Sequence, residues 1–174
     1  WLAQHGVKPD VIIGARMQSL ILFEEELRSV SGHLYVTTDD NSSGMQGVVT
    51  DVLKRLVKEE GKHYDEVIAI GPMIMMKFTT LLAKELGIKC TVSLNSLMVD
   101  GTGMCGACRV SVGGETKFTC VDGPEFDGAL VDFDLAMKRQ AMYNSIKGHK
   151  QMELEEKAEG HVCHVGGISD ETPD

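Results

Sequence analysis

The sequence predicts an α/β fold: a parallel sheet with helices over both faces, then a small segment too poor in apolar residues to build a core. Three observations carry this. Up to Asn95, short apolar runs alternate with stretches whose apolar residues recur at helical spacing. Gly and Pro punctuate the junctions between them. Beyond Asn95 the large apolar residues thin out while glycines and cysteines gather.

The elements follow in order. Residues 1–6 read as the last turns of a helix ending at Gly6, and after the turn at Pro9, residues 11–15 form an apolar run of strand length. Residues 19–30 place Leu20, Phe23, Leu27 and Val30 at helical spacing. Residues 33–38 are rich in β-formers, and 39–47 form a polar, glycine-bearing loop. A helix over 48–60 would put Val48, Val52, Leu53, Leu56 and Val57 on one face. Residues 66–70 read as a buried strand, Gly71-Pro72 opens a helix that stops at Gly87, and 89–95 give a fourth strand. Strands alternating with amphipathic helices imply right-handed crossovers and a sheet covered on both faces.

Size and charge narrow the function classes. A chain of 174 residues holds one ordinary domain with a small appendage. The formal net charge is −9 and no basic stripe is present, which argues against nucleic acid. The longest apolar stretch is broken by Gly71-Pro72 and is too short to cross a bilayer, so a soluble protein with no membrane partner is expected. No signal peptide opens the sequence, and five cysteines, three of them close together, suit a metal site in a reducing, cytoplasmic setting better than a disulfide framework.

In this fold class ligands bind beyond the carboxyl ends of the strands, which selects Gly14-Ala15-Arg16, Thr37-Thr38-Asp39-Asp40 and Gly71-Pro72-Met73. Arg16 suits a nucleotide phosphate or a surface ion pair. Asp39 and Asp40 read as solvated loop residues or as acceptors for ribose hydroxyls, in which case they favour NAD over NADP. Among Met73, Met75 and Met76 the expectation is helix core, with one lining the pocket. The strand, glycine-rich turn and helix that would meet a pyrophosphate are not found upstream, and no Met begins the chain, so it reads as a fragment of a longer protein.

The stretch VDGTGMCGACRV, residues 99–110, carries the strongest chemical signal. Cys105 and Cys108 can grip one metal from a single bend, and Cys120 returns as a third thiolate after a hairpin turning at Gly113-Gly114. Spacing alone leaves zinc and iron–sulfur at parity. Asp100, taken alone, reads as a turn or cap residue. Cys90 lies within a strand and reads as an inert buried thiol. His161, Cys163 and His164 sit in a Gly-, Glu- and Asp-rich tail, and residues 131–143 read as a helix capped by Asp132 or Asp134.

Residues 98–108 resemble the cluster-binding loop of electron-transfer subunits related to that of dihydroorotate dehydrogenase, in which a cysteine usually stands where this chain has Asp100. Within that group the chain is most similar to the flavin subunits of NADH-dependent ferredoxin:NADP oxidoreductase, also known as the small subunit of sulfide dehydrogenase, whose members carry aspartate there. The stretches around 36–53, 70–78 and 120–134 share the likeness.

The resemblance implies that Asp100, Cys105, Cys108 and Cys120 hold a [2Fe–2S] cluster. It implies that 1–95 is part of an NAD(P)-binding domain of ferredoxin-reductase type with a Rossmann-like sheet; the residues themselves divide the rest into a cluster segment, 96–128, and a helix with a tail, 129–174, that reads as disordered rather than as a stray-metal site at 161–164. The nucleotide site would draw on Gly14, Arg16, Thr38, Asp39, Asp40, Gly71, Pro72 and Met73. FAD would belong to a barrel upstream of this chain. The implied partner is a catalytic subunit with flavin and further iron–sulfur clusters. The runner-up readings are the dihydroorotate dehydrogenase subunit itself and a zinc-stabilised interaction domain. Ile70 departs from relatives that have a cysteine there. In the family order a first strand would lie between 11–15 and 66–70. Its absence predicts an edge-paired or swapped homo-oligomer, or a sheet distorted to close the gap.

Overall fold

The computed structural model describes residues 2–43 and 45–142. The expectations for the His161-Cys163-His164 tail fall outside them. Strands and helices follow in the order β1 (Val11–Ala15), α1 (Glu24–Val30), β2 (Leu34–Thr38), α2 (Val49–Lys58), β3 (Glu66–Ile70), α3 (Met73–Leu86), β4 (Lys89–Ser93), β5 (Arg109–Val112), β6 (Glu115–Phe118), β7 (Glu125–Asp127) and α4 (Phe133–Met142).

The parallel sheet exists as two parts. β1 pairs in parallel with β2, Val11 opposite Leu34 through Ala15 opposite Thr38. β3 pairs in parallel with β4, Glu66 opposite Lys89 through Ile70 opposite Ser93. β7, which the sequence reading did not foresee, adds antiparallel to β4 through Thr91–Asp127 and Ser93–Glu125. β1 and β3 are not paired with each other, and a cleft lies between them. The sheet is therefore not distorted to close the gap.

α2 packs on β1 and β2 and against α3, while α3 packs on β3 and β4. Its apolar face is Val52, Leu53 and Leu56, and Asp51 Oδ2 accepts from the Val48 N–H at 3.3 Å to close its first turn. Val48 is the cap and stays exposed, which corrects its place on the buried face. Gly14 lets this helix approach: a Cβ there would lie 2.8 Å from Val49 Cγ1. α3 forms the centre of the core, with Met73, Met76 and Ala83 buried against Cys90 and Val92. The same cluster takes in Val110 of β5 and Phe133 and Ala136 of α4, so the core runs on into the cysteine-bearing segment.

Two further expectations are corrected. The helix read over 19–30 is only the 3₁₀ turn Gln18–Leu20 and α1 from Glu24. Phe23 takes a left-handed conformation (φ 58°) and, like Leu20 and Val30, is exposed. Three glutamates in the first turn, Glu24, Glu25 and Glu26, suit the positive end of the helix and explain why it starts there. Nor is the sheet covered on both faces throughout. In β3, Val67 and Ala69 face α3, whereas Ile68 and Ile70 alternate to the other side and are 60% and 70% exposed.

At the amino ends of the strands, Asp10 ties the two parts together. Its Oδ2 accepts from Lys62 Nζ at 2.8 Å and from Tyr64 Oη at 2.7 Å, and its Oδ1 meets His33 Nδ1 at 3.0 Å. Lys62 also reaches the Tyr35 hydroxyl. Burial acts to raise the Asp10 pKa, but these hydrogen bonds and the Lys62 charge outweigh it and bring it from 3.8 to about 2.

Candidate functional site

The cysteine-bearing loop is shaped by glycine. Gly101, Gly103 and Gly106 have φ of 79°, 84° and 65°, a region that side chains rarely adopt, and they let residues 99–108 fold back on themselves. Asp100 sits at the mouth of this fold. Its Oδ1 accepts from the Thr102 N–H at 2.8 Å and its Oδ2 from the Cys105 N–H at 3.2 Å. The Thr102 amide is the main cause of a lowered Asp100 pKa; desolvation opposes it, and smaller contributions from Thr102 and Cys105 act in the same lowering direction. The carboxylate is thus ionised and fixed beside Cys105, whose Sγ accepts from the Ala107 N–H at 3.5 Å.

The other two thiols meet across the hairpin. Cys108 Sγ lies 3.2 Å from Cys120 Sγ. Cys108 is buried and its carbonyl accepts from both the N–H (3.2 Å) and the Oγ1 (2.9 Å) of Thr119, a fully buried residue whose hydroxyl also bonds Ser96. β5 and β6 position this pair, with Arg109 opposite Phe118 at the end nearest the thiols. The Cys108 thiol raises the pKa of Cys120, with burial adding to it. Two thiols at this distance resist joint ionisation unless a cation joins them.

The four residues are therefore held in two neighbouring places, the Asp100 carboxylate on the backbone N–H of Cys105 and the Cys108 thiol against that of Cys120. Among the described residues no three His, Cys, Asp or Glu side chains converge on one point. Zinc with four protein ligands needs all of them around one ion. A binuclear cluster takes two from each side, and the order Asp100-x4-Cys105-x2-Cys108 followed by a distant Cys120 has the spacing of plant-type [2Fe–2S] ligands. The donor set and its pairing fit such a cluster. That spacing was available in the sequence. The Thr119 support was not, because a lone Thr in a hairpin gives no periodic signal.

The cleft between β1 and β3 gathers most of the other candidates. Its volume is about 750 Å³. Gly14, Arg16, Asp39, Gly71 and Pro72 line it at the carboxyl ends of the strands, and Met75 is the methionine that reaches it. Thr38, Asp40 and Met73 lie outside its lining. Thr38 is buried with its Oγ1 3.2 Å from Ser43 Oγ, and Met73 packs into the core. Asp40 is occupied by its own loop: its Oδ1 accepts from the Ser42 hydroxyl and N–H, which lower its pKa. Cys90 is buried beside Thr80, and burial pushes its thiol pKa up. No helix among the described residues is long and apolar enough to cross a membrane.

Residues 95–132 match the family described as the iron–sulfur cluster binding domain of dihydroorotate dehydrogenase B. By sequence and by fold, the chain is similar to electron transfer subunits related to that of this enzyme. It is 51% identical over 142 residues to a Thermotoga maritima homolog of the dihydroorotate dehydrogenase B (NAD(+)) electron transfer subunit, covering 82% of this chain and 49% of that one. It is 61% identical over 167 residues to an uncharacterized Clostridium beijerinckii protein from an adh 3′ region, covering 96% of this chain and 55% of that one. A solved structure of NADH-dependent reduced ferredoxin-NADP oxidoreductase superposes with a TM-score of 0.77 at 46% identity, covering 88% of this chain and 54% of the matched chain. The chain spans about half the length of the curated relatives it matches. The fold is the mixed α/β arrangement with parallel strands seen in that ferredoxin-reductase-like neighbour.

Proposed function

We propose that this chain is the nucleotide and [2Fe–2S] part of an electron-transfer subunit, relaying electrons between NADH and a catalytic partner that carries flavin and further iron–sulfur clusters. Asp100, Cys105, Cys108 and Cys120 would hold the cluster's two irons, Asp100 and Cys105 on one side and Cys108 and Cys120 on the other. The observation that carries this reading is the meeting of the Cys108 and Cys120 thiols, with Asp100 held on the Cys105 backbone, in a segment matching an iron–sulfur domain. The cluster, when bound, would carry electrons one at a time toward the partner from an FAD that takes the hydride of NADH.

The chain's own residues do the rest. Gly101, Gly103 and Gly106 bend the loop, the Ala107 N–H supports the Cys105 sulfur, and Thr119 fixes the backbone of Cys108. Leu97, Met98, Val99, Met104 and Val121 lie exposed around the loop and offer an apolar contact surface for the partner. At the cleft, Arg16 faces a phosphate, and Asp39 accepts from ribose hydroxyls and repels a 2′-phosphate, which favours NAD over NADP. FAD is held by the part of the longer relatives that this chain does not span. The overall reaction that fits is NADH-dependent ferredoxin:NADP oxidoreduction, in keeping with the 46% identity to a chain of that complex.

The chain is purified without oxygen and analysed for metal and acid-labile sulfide. Equal amounts of iron and sulfide with a brown colour are expected. A colourless protein containing zinc and no sulfide overturns the reading in favour of a zinc-stabilised domain. Asp100→Ala should lower iron retention and make the cluster sensitive to oxygen.

A further inference from the structure

Residues 96–124 carry five charged side chains: Asp100, Arg109, Glu115, Lys117 and Asp122. Four of them are engaged. Asp100 accepts from the Thr102 and Cys105 amides, Asp122 Oδ2 accepts from the Phe118 N–H at 2.6 Å, and Lys117 Nζ pairs with Glu115 Oε2 at 2.8 Å. The Arg109 guanidinium has no ion pair or hydrogen bond among the described residues. Its position is nonetheless defined. Arg109 follows Cys108 directly, its N–H meets the Gly106 carbonyl at 3.4 Å, and β5 sets it opposite Phe118. The side chain turns back over the same glycine: a Cβ at Gly106 would stand 3.7 Å from Arg109 Nη1 and 3.9 Å from Phe118 Cε1. Gly106 lies between Cys105 and Cys108, so an unpaired positive charge rests against the bend that carries two of the four candidate ligands.

We propose that Arg109 tunes the cluster: its charge, held against the Gly106 bend, favours the reduced form and raises the reduction potential. Taking one electron from a reduced flavin turns one ferric iron ferrous and adds one negative charge to a site already ringed by three thiolates and a carboxylate. A cation alongside stabilises that added charge. No proton has to move with the electron for this, because a guanidinium stays charged throughout the working pH range. Arg109 is exposed, so water and salt weaken its effect without removing it at such short range. The inference rests on the cluster reading above and adds to it the side chain that sets how readily an electron is accepted.

The test is a redox titration, followed by EPR, of the anaerobically reconstituted chain and its variants. Wild type, Arg109→Gln and Arg109→Lys should hold equal iron and sulfide. Arg109→Gln should shift the one-electron equilibrium about fivefold against reduction, a midpoint roughly 40 mV lower at about 59 mV per tenfold. Arg109→Lys should keep most of the wild-type value. Lys84→Gln removes the same charge from the last turn of α3, at the end of the sheet where β4 begins, and should leave the midpoint unchanged. An Arg109→Gln midpoint equal to wild type, or a shift matched by Lys84→Gln, overturns the proposal and leaves the cluster reading standing. Loss of iron from Arg109→Gln overturns it too, because the arginine is then part of the loop's framework. A wild-type chain that holds zinc and no sulfide removes the cluster reading and this inference together.

Discussion

Asp10 shows how one side chain can hold separate elements. Its carboxylate is 13% exposed and receives His33 from beside β2 and Lys62 and Tyr64 from the loop before β3. Because its folded pKa of about 2 lies below the ordinary value of 3.8, its contribution is full above that value and is lost as pH falls toward 2. After allowance for screening by water it amounts to about 1 kcal/mol. Chemical denaturation from pH 6 to pH 2.5 should show wild type losing its advantage over Asp10→Asn across that window. A constant difference between them would show that the titration is unrelated. Thr119 plays a similar part beside the thiols. Thr119→Val keeps the shape but removes the hydroxyl that bonds the Cys108 carbonyl and Ser96, costing about 1 kcal/mol. Faster release of iron to a chelator, with an unchanged optical spectrum, is the expected readout.

At the scale of elements, close packing of α2 on β1 depends on Gly14. A Cβ there would stand 2.8 Å from Val49 Cγ1 and 3.3 Å from Thr37 Cγ2. Gly14→Ala should destabilise the chain by about 1–3 kcal/mol through overpacking. Adding Val49→Ala should recover part of that loss, a coupling visible in a double-mutant cycle by thermal denaturation. Simple additivity would show that the contact relaxes elsewhere. These elements were legible to different degrees in the sequence. β1 to β4, α2 and α3 announced themselves because an apolar run or a helical stripe reports burial directly. The helix read over 19–30 failed because Leu20, Phe23 and Val30 repeat at helical spacing yet have nothing in the described structure to pack against. β7 was missed because Glu125–Asp127 has one apolar residue and gains its strand character only by pairing with β4.

At the scale of the whole molecule, two sheet parts, a shared core and a cluster loop form one α/β unit. Ile68 and Ile70 show where it differs from a covered sheet: the sequence reads them as buried, and the structure leaves that side of β3 open. The candidate ligands were legible as a set, since Cys105-x2-Cys108 is a local signature. Their pairing was not, because Asp100 beside Cys105 and Cys108 beside Cys120 depend on the loop's turns and the hairpin's register.

Ligation of one iron by Asp100 is the central claim, and Mössbauer spectroscopy of the oxidised, ⁵⁷Fe-reconstituted chain tests it most directly. A carboxylate is a harder donor than a thiolate, so an iron held by Asp100 and Cys105 must differ electronically from one held by Cys108 and Cys120. Wild type should show inequivalent iron sites, and Asp100→Cys should bring them close to equivalence while keeping the same iron content. Equivalent sites in wild type, or a spectrum unchanged by Asp100→Cys, would contradict it.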